Sequence, residues 1–411
     1  MSKLIGNAIV GQSGGPTAAI NATLAGVIRG AFECDAIETI YGAFNGVEGM
    51  LNNTLCNLNE VFADEKDLVT LENTPAAALG SCRLKLPKAG EVTDKYERLF
   101  ELFERLNIRY FFYIGGNDSM DTVAKVSAYA KKINYDIRVM GVPKTIDNDV
   151  CGTDHTPGYG SAAKYIAASM QEIIRDCAVY TVKAVTIVEI MGRDAGWLTA
   201  AAALPRITSD VAPDYIYLPE VDFSYEQFFS DVRAALERHP NVVIAVSEGI
   251  HFADGSLVGA ATQSGVVDAF GHAYLSGTGK ALELAIKDEI GCKVRSVELN
   301  ILQRCASHIA SKTDLEESVM IGRAAVFAAA EGESGKMMTF KRVSDAPYKC
   351  EGAPEDIEKI ANLVKKVPAE FINAEGNNVT DDCAKYLLPL IEGETMPEFK
   401  NGVPVHFVIP R

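Results

Sequence analysis

The chain has no excess of positive charge. Its 39 Lys and Arg stand against 55 Asp and Glu, leaving a formal net charge of −16 and a pI near 4.9. A nucleic-acid binder normally presents a net basic surface to phosphates, so no nucleic-acid partner is expected. A basic patch for an anionic membrane surface is equally unsupported. No apolar run approaches the ~18 residues that a spanning helix needs. The N-terminal stretch MSKLIGNAIVGQSGG lacks the apolar segment of a secretory signal. There is no CxxC pair: Cys34, Cys56, Cys82, Cys151, Cys177, Cys292, Cys305, Cys350 and Cys383 are scattered and odd in number. That pattern suits reduced, mostly buried thiols in a cytoplasmic protein. The six histidines form neither HExxH nor a zinc spacing, so a metal held by His or Cys is not expected. No Pro- or Ser-rich linker, low-complexity segment or internal repeat divides the chain.

What is present is an ordinary globular composition. The 411 residues are 48% hydrophobic and 23% charged, with a mean hydropathy of +0.05. Such a chain can bury a large core, and its length suggests two or three domains. Six β-rich runs stand out: Leu4 to Val10, Arg109 to Ile114, Asp136 to Val142, Ala184 to Ile190, Asn241 to Val246 and Lys293 to Leu299. Most lead into a Gly-containing or polar turn. Between them lie helix-like segments. After Gly115-Gly116-Asn117-Asp118-Ser119, the residues Met120, Val123, Ala124 and Ala128 recur at helical spacing, with Lys131 and Lys132 closing the segment. Short apolar strands alternating with helices predict an α/β fold with parallel, doubly wound sheets covered on both faces. Ligands of such sheets bind beyond the carboxyl ends of the strands, and the polar clusters of this chain lie at those ends. From about Asp345 the composition shifts towards Glu, Pro and Asn, as in a segment that wraps over the body or meets a partner.

Four clusters and three further residues could carry chemistry. Gly11 to Thr17, GQSGGPT, opens a helix. Its glycines allow a close backbone approach to an anion, or they form a plain βα turn. It is neither GxGxxG nor a Walker loop. Gly115 to Ser119, GGNDS, is a second possible cradle, although Asp118 would repel a phosphate beside it; capping of the helix by Asp118 or Ser119 is the simpler role. Pro143 to Asp149, PKTIDND, places Asp147 and Asp149 two residues apart beside Lys144. Paired carboxylates suit base catalysis or metal-linked positioning, and Lys144 suits developing negative charge. An Asx-rich turn is the alternative. Met191 to Gly196, MGRDAG, offers Arg193 as a phosphate fork, or as half of a surface pair. Glu248, Arg295 and Arg304 follow or flank other apolar strands. If Arg83, Lys144, Arg193, Arg295 and Arg304 converge, this acidic chain holds a local positive cleft for a polyanionic small molecule.

SGGPTAAIN, GSCR, GGNDS, PKTIDND, PGYGSAAK, VEIMGRDAGWLTAAAAL, SEG and the Arg295-to-Arg304 stretch occur in this order over residues 4 to 305. In that order the chain resembles the phosphofructokinase family, and within it the pyrophosphate-dependent branch. PKTIDND together with MGRDAGW is the specific part. The resemblance implies two Rossmann-like three-layer α/β domains with the active site in the cleft between them. Residues 1–155 with about 303–345 would handle the phosphoryl donor and Mg²⁺. Residues about 156–302 would handle the sugar phosphate. Residues 346–411 would be an extension packed on the body.

By the same resemblance Gly14, Gly15, Arg83 and Lys144 bind the donor, and Asp147 is the base that takes the C1 hydroxyl proton of fructose 6-phosphate. Thr145, Met191, Gly192, Arg193, Glu248, Arg295 and Arg304 meet the sugar phosphate, and Asn117 and Asp149 meet the magnesium ion. Alignment and charge neutralisation are what phosphoryl transfer requires. ATP-using relatives have Gly where this chain has Asp118 and Lys144. The carboxylate would exclude a nucleotide α-phosphate and the lysine would stabilise the transferring group, which implies PPi as donor. The chain departs from the family at Asn117, often Asp, and at Ile301, often His or Tyr. At Ala184, next to Lys183, bacterial ATP-using relatives place an arginine from a neighbouring subunit. The alternatives are an ATP-dependent kinase, a relative acting on another sugar phosphate such as sedoheptulose 7-phosphate, and a non-catalytic regulatory subunit. A homodimer or homotetramer is implied.

Overall fold

The computed structural model describes residues 4–88, 91, 94–209, 211–260, 277–361 and 363–411. Part of the span expected to handle sugar phosphate, residues 261–276, lies outside the described residues. Two sheets organise the chain. The larger contains β1 (Gly6–Gln12), β2 (Ile37–Ala43), β3 (Leu55–Asn57), β4 (Ile108–Gly115), β5 (Arg138–Pro143), β10 (Lys336–Asp345) and β11 (Tyr348–Asp356), in the order β11-β10-β5-β4-β1-β2-β3. The smaller contains β6 (Ala184–Ile190), β7 (Tyr215–Tyr217), β8 (Asn241–Ser247) and β9 (Lys293–Glu298), in the order β7-β8-β6-β9. Its ladders are all parallel.

The α/β fold class is the expected one, with parallel ladders at the centre of the larger sheet and antiparallel pairs at its edges. β3 pairs antiparallel to β2, and β11 pairs antiparallel to β10, so both edges are antiparallel. The stretch expected as an extension, 346–411, starts within the larger sheet. Residues 346 and 347 form the turn of the β10–β11 hairpin, so the chain's last part begins as a strand of the larger sheet. Further on, Val379, Cys383, Ala384, Leu387 and Leu390 join the apolar cluster beside the smaller sheet.

The predicted strands start from near-continuous apolar runs because helices cover both sheet faces. In β4, Ile108 to Gly115, only Arg109 is not buried. The expected first run from Leu4 begins as a strand at Gly6, and the run from Asp136 begins at Arg138. The predicted helix after GGNDS spans Asn117–Lys132. Its buried face runs through Met120, Val123, Val126 and Ala130, whereas Ala128 is exposed.

Helix Ile20–Glu33 crosses helix Lys312–Ala330 so closely that a Cβ on Gly26 would lie 2.1 Å from the Val319 carbonyl oxygen. Glycine there has a packing reason. Asp314 on that second helix accepts hydrogen bonds from the Gly158 N–H at 2.8 Å and the Ser161 N–H at 2.9 Å. It thereby caps helix Tyr159–Cys177 and ties the chain between the two sheets together. All nine cysteines are free; Cys34, Cys82, Cys177 and Cys383 are buried, four are half-buried and Cys305 is exposed, fewer fully buried than the sequence suggested. Among the described residues no helix is long and apolar enough to cross a membrane.

Candidate active site

The polar clusters converge at the carboxyl ends of strands from both sheets. Ser13 to Gly15 follow β1, Gly116 to Ser119 follow β4, and Lys144 to Asp149 follow β5; from the other sheet Met191 to Asp194 follow β6 and Glu248 follows β8. They surround one cleft of about 430 Å³. Gly14, Gly15, Arg83, Asn117, Asp118, Lys144, Thr145, Asp147 and Asp149 line it from one side. Met191, Arg193, Glu248 and Arg304 line the other. Gly192, with φ at 145°, lets its N–H reach Glu248 Oε1 at 3.4 Å.

Local structure explains why each group points inward. Gly14 has φ at 79°, a left-handed turn open to glycine. A side chain there would also crowd Lys144 Nζ, 3.2 Å from an added Cβ. The segment bearing Arg83 is clipped to this turn: the Gly14 N–H donates to the Cys82 carbonyl at 3.2 Å, and Ser13 Oγ donates to the same oxygen at 3.0 Å. Arg304 lies on the short helix Leu302–Cys305, whose Gln303 Oε1 accepts from the Met191 N–H at 3.2 Å. An added Cβ on Gly15 would sit 3.6 Å from the Arg304 guanidinium.

Lys144 is buried and donates from Nζ to the Gly15 carbonyl at 2.6 Å, bridging the β5 loop to the β1 turn. Burial pulls its pKa down to about 8, against the raising effect of the Asp147 charge. Thr145 Oγ1 donates to Asp147 Oδ2 at 3.1 Å and accepts from the Asp147 N–H at 3.2 Å, fixing that carboxylate. Burial holds Asp147 above the usual carboxylate range, despite the Thr145 hydrogen bond and the Lys144 and Arg193 charges. Burial and then the Asp147 charge push Asp149 up to about 7, and the same two causes push Glu248 up to about 8. Strongly perturbed carboxylates gathered round one cleft mark it as a candidate site.

Asn117 Nδ2 donates to Asp149 Oδ2 at 3.4 Å, while its buried Oδ1 has no hydrogen-bond partner among the described residues. A buried carbonyl oxygen without a partner beside a carboxylate is a fitting pair of hard oxygen ligands for a divalent cation. Asp118 forms an ion pair with Lys85 at 3.3 Å, so the carboxylate expected to repel a nucleotide phosphate is partly neutralised.

One expected contact is not in this cleft. Arg295 is the third residue of β9, pairs in register with Thr186, and lines a separate recess of about 90 Å³ with Ala184 and Lys293. These residues sit towards the amino ends of parallel strands. At about 3.3 Å per residue, Arg295 stands roughly 10 Å back from the carboxyl ends where the cleft lies. Asp194 and Val364 line the cleft without having been singled out, and so does Ser119, expected only within the GGNDS turn or as a helix cap. Asp194 was visible inside MGRDAG; nothing in the sequence marked Val364.

A second polar cluster lies along the same loop. Both ring nitrogens of buried His155 meet carboxylates, Nδ1 with Asp154 Oδ2 at 2.9 Å and Nε2 with Glu317 Oε2 at 2.7 Å. Arg342 pairs with Asp154 at 3.0 Å, and Tyr348 donates to Glu317 at 2.8 Å. Cys350 completes a group of metal-capable donors with His155 and Glu317, but the imidazole nitrogens are already engaged.

Comparison with known proteins gives a consistent outcome. The family model described as Phosphofructokinase matches residues 7–328. A protein of Xanthomonas campestris pv. campestris named pyrophosphate–fructose 6-phosphate 1-phosphotransferase is 44% identical, over 97% of this chain and 95% of its own. One of the same name from Halomonas elongata is 41% identical, over 97% of this chain and 94% of its own. The crystal structure of a pyrophosphate-dependent phosphofructokinase from Nitrosospira multiformis superposes with a TM-score of 0.87 at 38% identity, covering 97% of this chain and 95% of that one.

Proposed function

The chain belongs to the phosphofructokinase family, and from that premise we propose that it is a phosphotransferase that moves the phosphoryl group of pyrophosphate to the C1 hydroxyl of fructose 6-phosphate. The products are fructose 1,6-bisphosphate and orthophosphate, and the reaction runs both ways. The observation that carries the donor choice is buried Lys144, reaching from the loop of Asp147 and Asp149 to the Gly14–Gly15 turn. A cation fixed between a backbone cradle and a carboxylate sits where charge develops on a phosphoryl group in flight.

In this reading the Asp147 carboxylate, oriented by Thr145, accepts the C1 hydroxyl proton. The freed oxygen attacks phosphorus, the bridging P–O bond of pyrophosphate breaks, and orthophosphate leaves. Gly14, Gly15, Arg83 and Lys144 hold the donor. Arg193 and Arg304 hold the sugar phosphate, with Glu248 and the backbone of Met191 and Gly192 towards the sugar. Asn117 and Asp149 would hold a divalent cation, Mg²⁺ by preference, which screens charge between donor phosphates when bound. The larger sheet serves the donor and the smaller one the sugar phosphate. Asp118 narrows the donor site against a nucleotide, with Lys85 as its counter-charge. We further place the protein in the cytoplasm as a homodimer or homotetramer, in which Arg295 beside Ala184 serves a neighbouring chain's cleft.

The test is phosphoryl transfer to fructose 6-phosphate with Mg²⁺, comparing PPi and ATP as donors. Turnover with PPi and little with ATP is expected, and the D118G/K144G double variant should gain ATP use at the expense of PPi. ATP turnover alone in the parent protein overturns the donor assignment. Sugar-phosphate binding with no turnover from either donor makes the chain a regulatory subunit.

A further inference from the structure

The loop that carries Asp147 and Asp149 is held by a segment more than two hundred residues later in the sequence. Between the two carboxylates, Asn148 is fully buried with φ at 54°. A non-glycine residue in that conformation persists only where its surroundings hold it. The surroundings are supplied by Lys365. Its ammonium group has three donors, and three acceptors surround it: Asn148 Oδ1 at 3.1 Å, the Thr153 carbonyl at 3.2 Å and the Asp154 carbonyl at 2.7 Å. Its backbone N–H donates to the Asp149 carbonyl at 2.7 Å, beside a bridge between Val150 and Val364.

The same few residues also grip the loop from the other sheet. The Lys365 carbonyl accepts from Trp197 Nε1 at 2.9 Å. Glu220 Oε1 accepts from the Val367 N–H at 2.8 Å and from the Gly196 N–H at 2.9 Å. Gly196 and Trp197 directly follow Met191 to Ala195, the cleft loop of β6. Val364 itself lines the cleft. Residues 364–367 therefore touch both halves of the site, and none of their polar groups is needed for the reaction itself.

We propose that Lys365 is a positioning residue of the reaction: its ammonium group pins Asn148 and the 153–154 backbone so that the Asp147 carboxylate faces the attacking hydroxyl, while the 364–367 strap keeps the β5 and β6 loops in register. This rests on the reading of Asp147 as the base. Displacing a reacting group by about 1 Å can cost on the order of 100-fold in rate, so the strap acts on kcat. It does not touch either substrate's phosphate groups, so KM is spared.

The experiment compares K365M, which keeps length and removes the ammonium group, with R206A. Arg206 anchors the same tail at the Val379 carbonyl and Asn378 Oδ1, at 3.2 and 3.0 Å, without touching the loop. For PPi and fructose 6-phosphate, K365M is expected to lose kcat by about 10- to 100-fold, with both KM values within threefold of the parent. R206A is expected to lower Tm while kcat stays within twofold. A folded K365M with kcat within threefold of the parent overturns the proposal, as does an equal kcat loss in R206A. If K365M does not fold, N148G removes the acceptor while keeping the left-handed backbone. It must show the same kcat loss at unchanged KM, and intact turnover in N148G overturns the proposal. The parent protein separates the two levels of argument. No PPi-dependent turnover in the parent breaks the functional reading and the strap with it, whereas normal parent turnover with undiminished variants breaks the strap alone.

Discussion

Along residues 144–156 two buried charge clusters are built in opposite ways. In the first, Asp147 and Asp149 are held above the usual carboxylate range, Lys144 is pulled below its own, and Asn117 Oδ1 has no partner. In the second, His155 is held between two carboxylates, Arg342 saturates Asp154, and Tyr348 saturates Glu317. The first cluster keeps shifted charges and, among the described residues, one unpartnered buried oxygen; the second pairs each of its charged groups in turn. Buried polar groups are costly when unpaired and specific when paired. The difference is the one expected between a cluster built for a charged ligand, as proposed, and one that holds the fold.

The sharpest way to break this comparison is at Asp147. D147N should lower kcat by at least about 100-fold, since a positioned base contributes roughly 10²–10⁴. Because burial disfavours the carboxylate, the amide should also make the fold slightly more resistant to urea at pH 8. A variant that keeps its turnover would show that Asp147 is not the base. At His155 the balance reverses. H155F should leave Glu317 without its cation and Asp154 with Arg342 alone, and cost about 3 kcal/mol of stability, read from urea midpoints at pH 6. A loss below about 1 kcal/mol would put the cluster in the same class as exposed ion pairs.

The smallest effect is in the pH dependence of that loss. Burial alone would lower the His155 pKa, but hydrogen bonds to Asp154 and Glu317 outweigh it and raise it above 6.5. The folded state thus binds this proton more tightly than the unfolded one. The stabilisation is complete below 6.5 and fades as pH rises through the raised folded value. Asp154 works in the other direction. Burial would raise it, but the His155 hydrogen bond and the His155 and Arg342 charges hold it below 3.8. Its share is present above 3.8 and is lost as pH falls through the depressed value. The H155F deficit should therefore shrink in alkaline buffer, and a deficit that is flat with pH would mean that His155 is held neutral.

Much of the fold was legible because strands buried on both faces are mostly apolar and lead into Gly-containing or polar turns. β6 and β8 begin where the sequence places them. The strands that escaped notice lack that pattern. β7 has only three residues. β11 alternates half-buried with exposed positions from Tyr348 to Glu351 and contains Pro354, as an edge strand can. In the site, short polar motifs identified the loops of β1, β4, β5, β6 and β8. They could not place Arg295, because a position along a strand does not say which end of the sheet a side chain serves. Asp118 was read as a bare carboxylate because its partner Lys85 is far away in sequence. Lys365 lies in the part of the chain with no motif at all. Its importance depends on carbonyl groups that the folded backbone brings together, and backbone groups leave no mark in a sequence.

The strap also bears on how long a molecule stays useful. Leu363 and Val364 are 50% and 43% exposed, whereas the loop they secure is largely buried. A single proteolytic cut between them would leave both sheets and nearly all of the core intact, yet release the segment that aligns the β5 loop. Such a clipped chain would remain folded and soluble while its turnover declined. Its working lifetime would then be set by the integrity of one exposed peptide bond rather than by the stability of the fold.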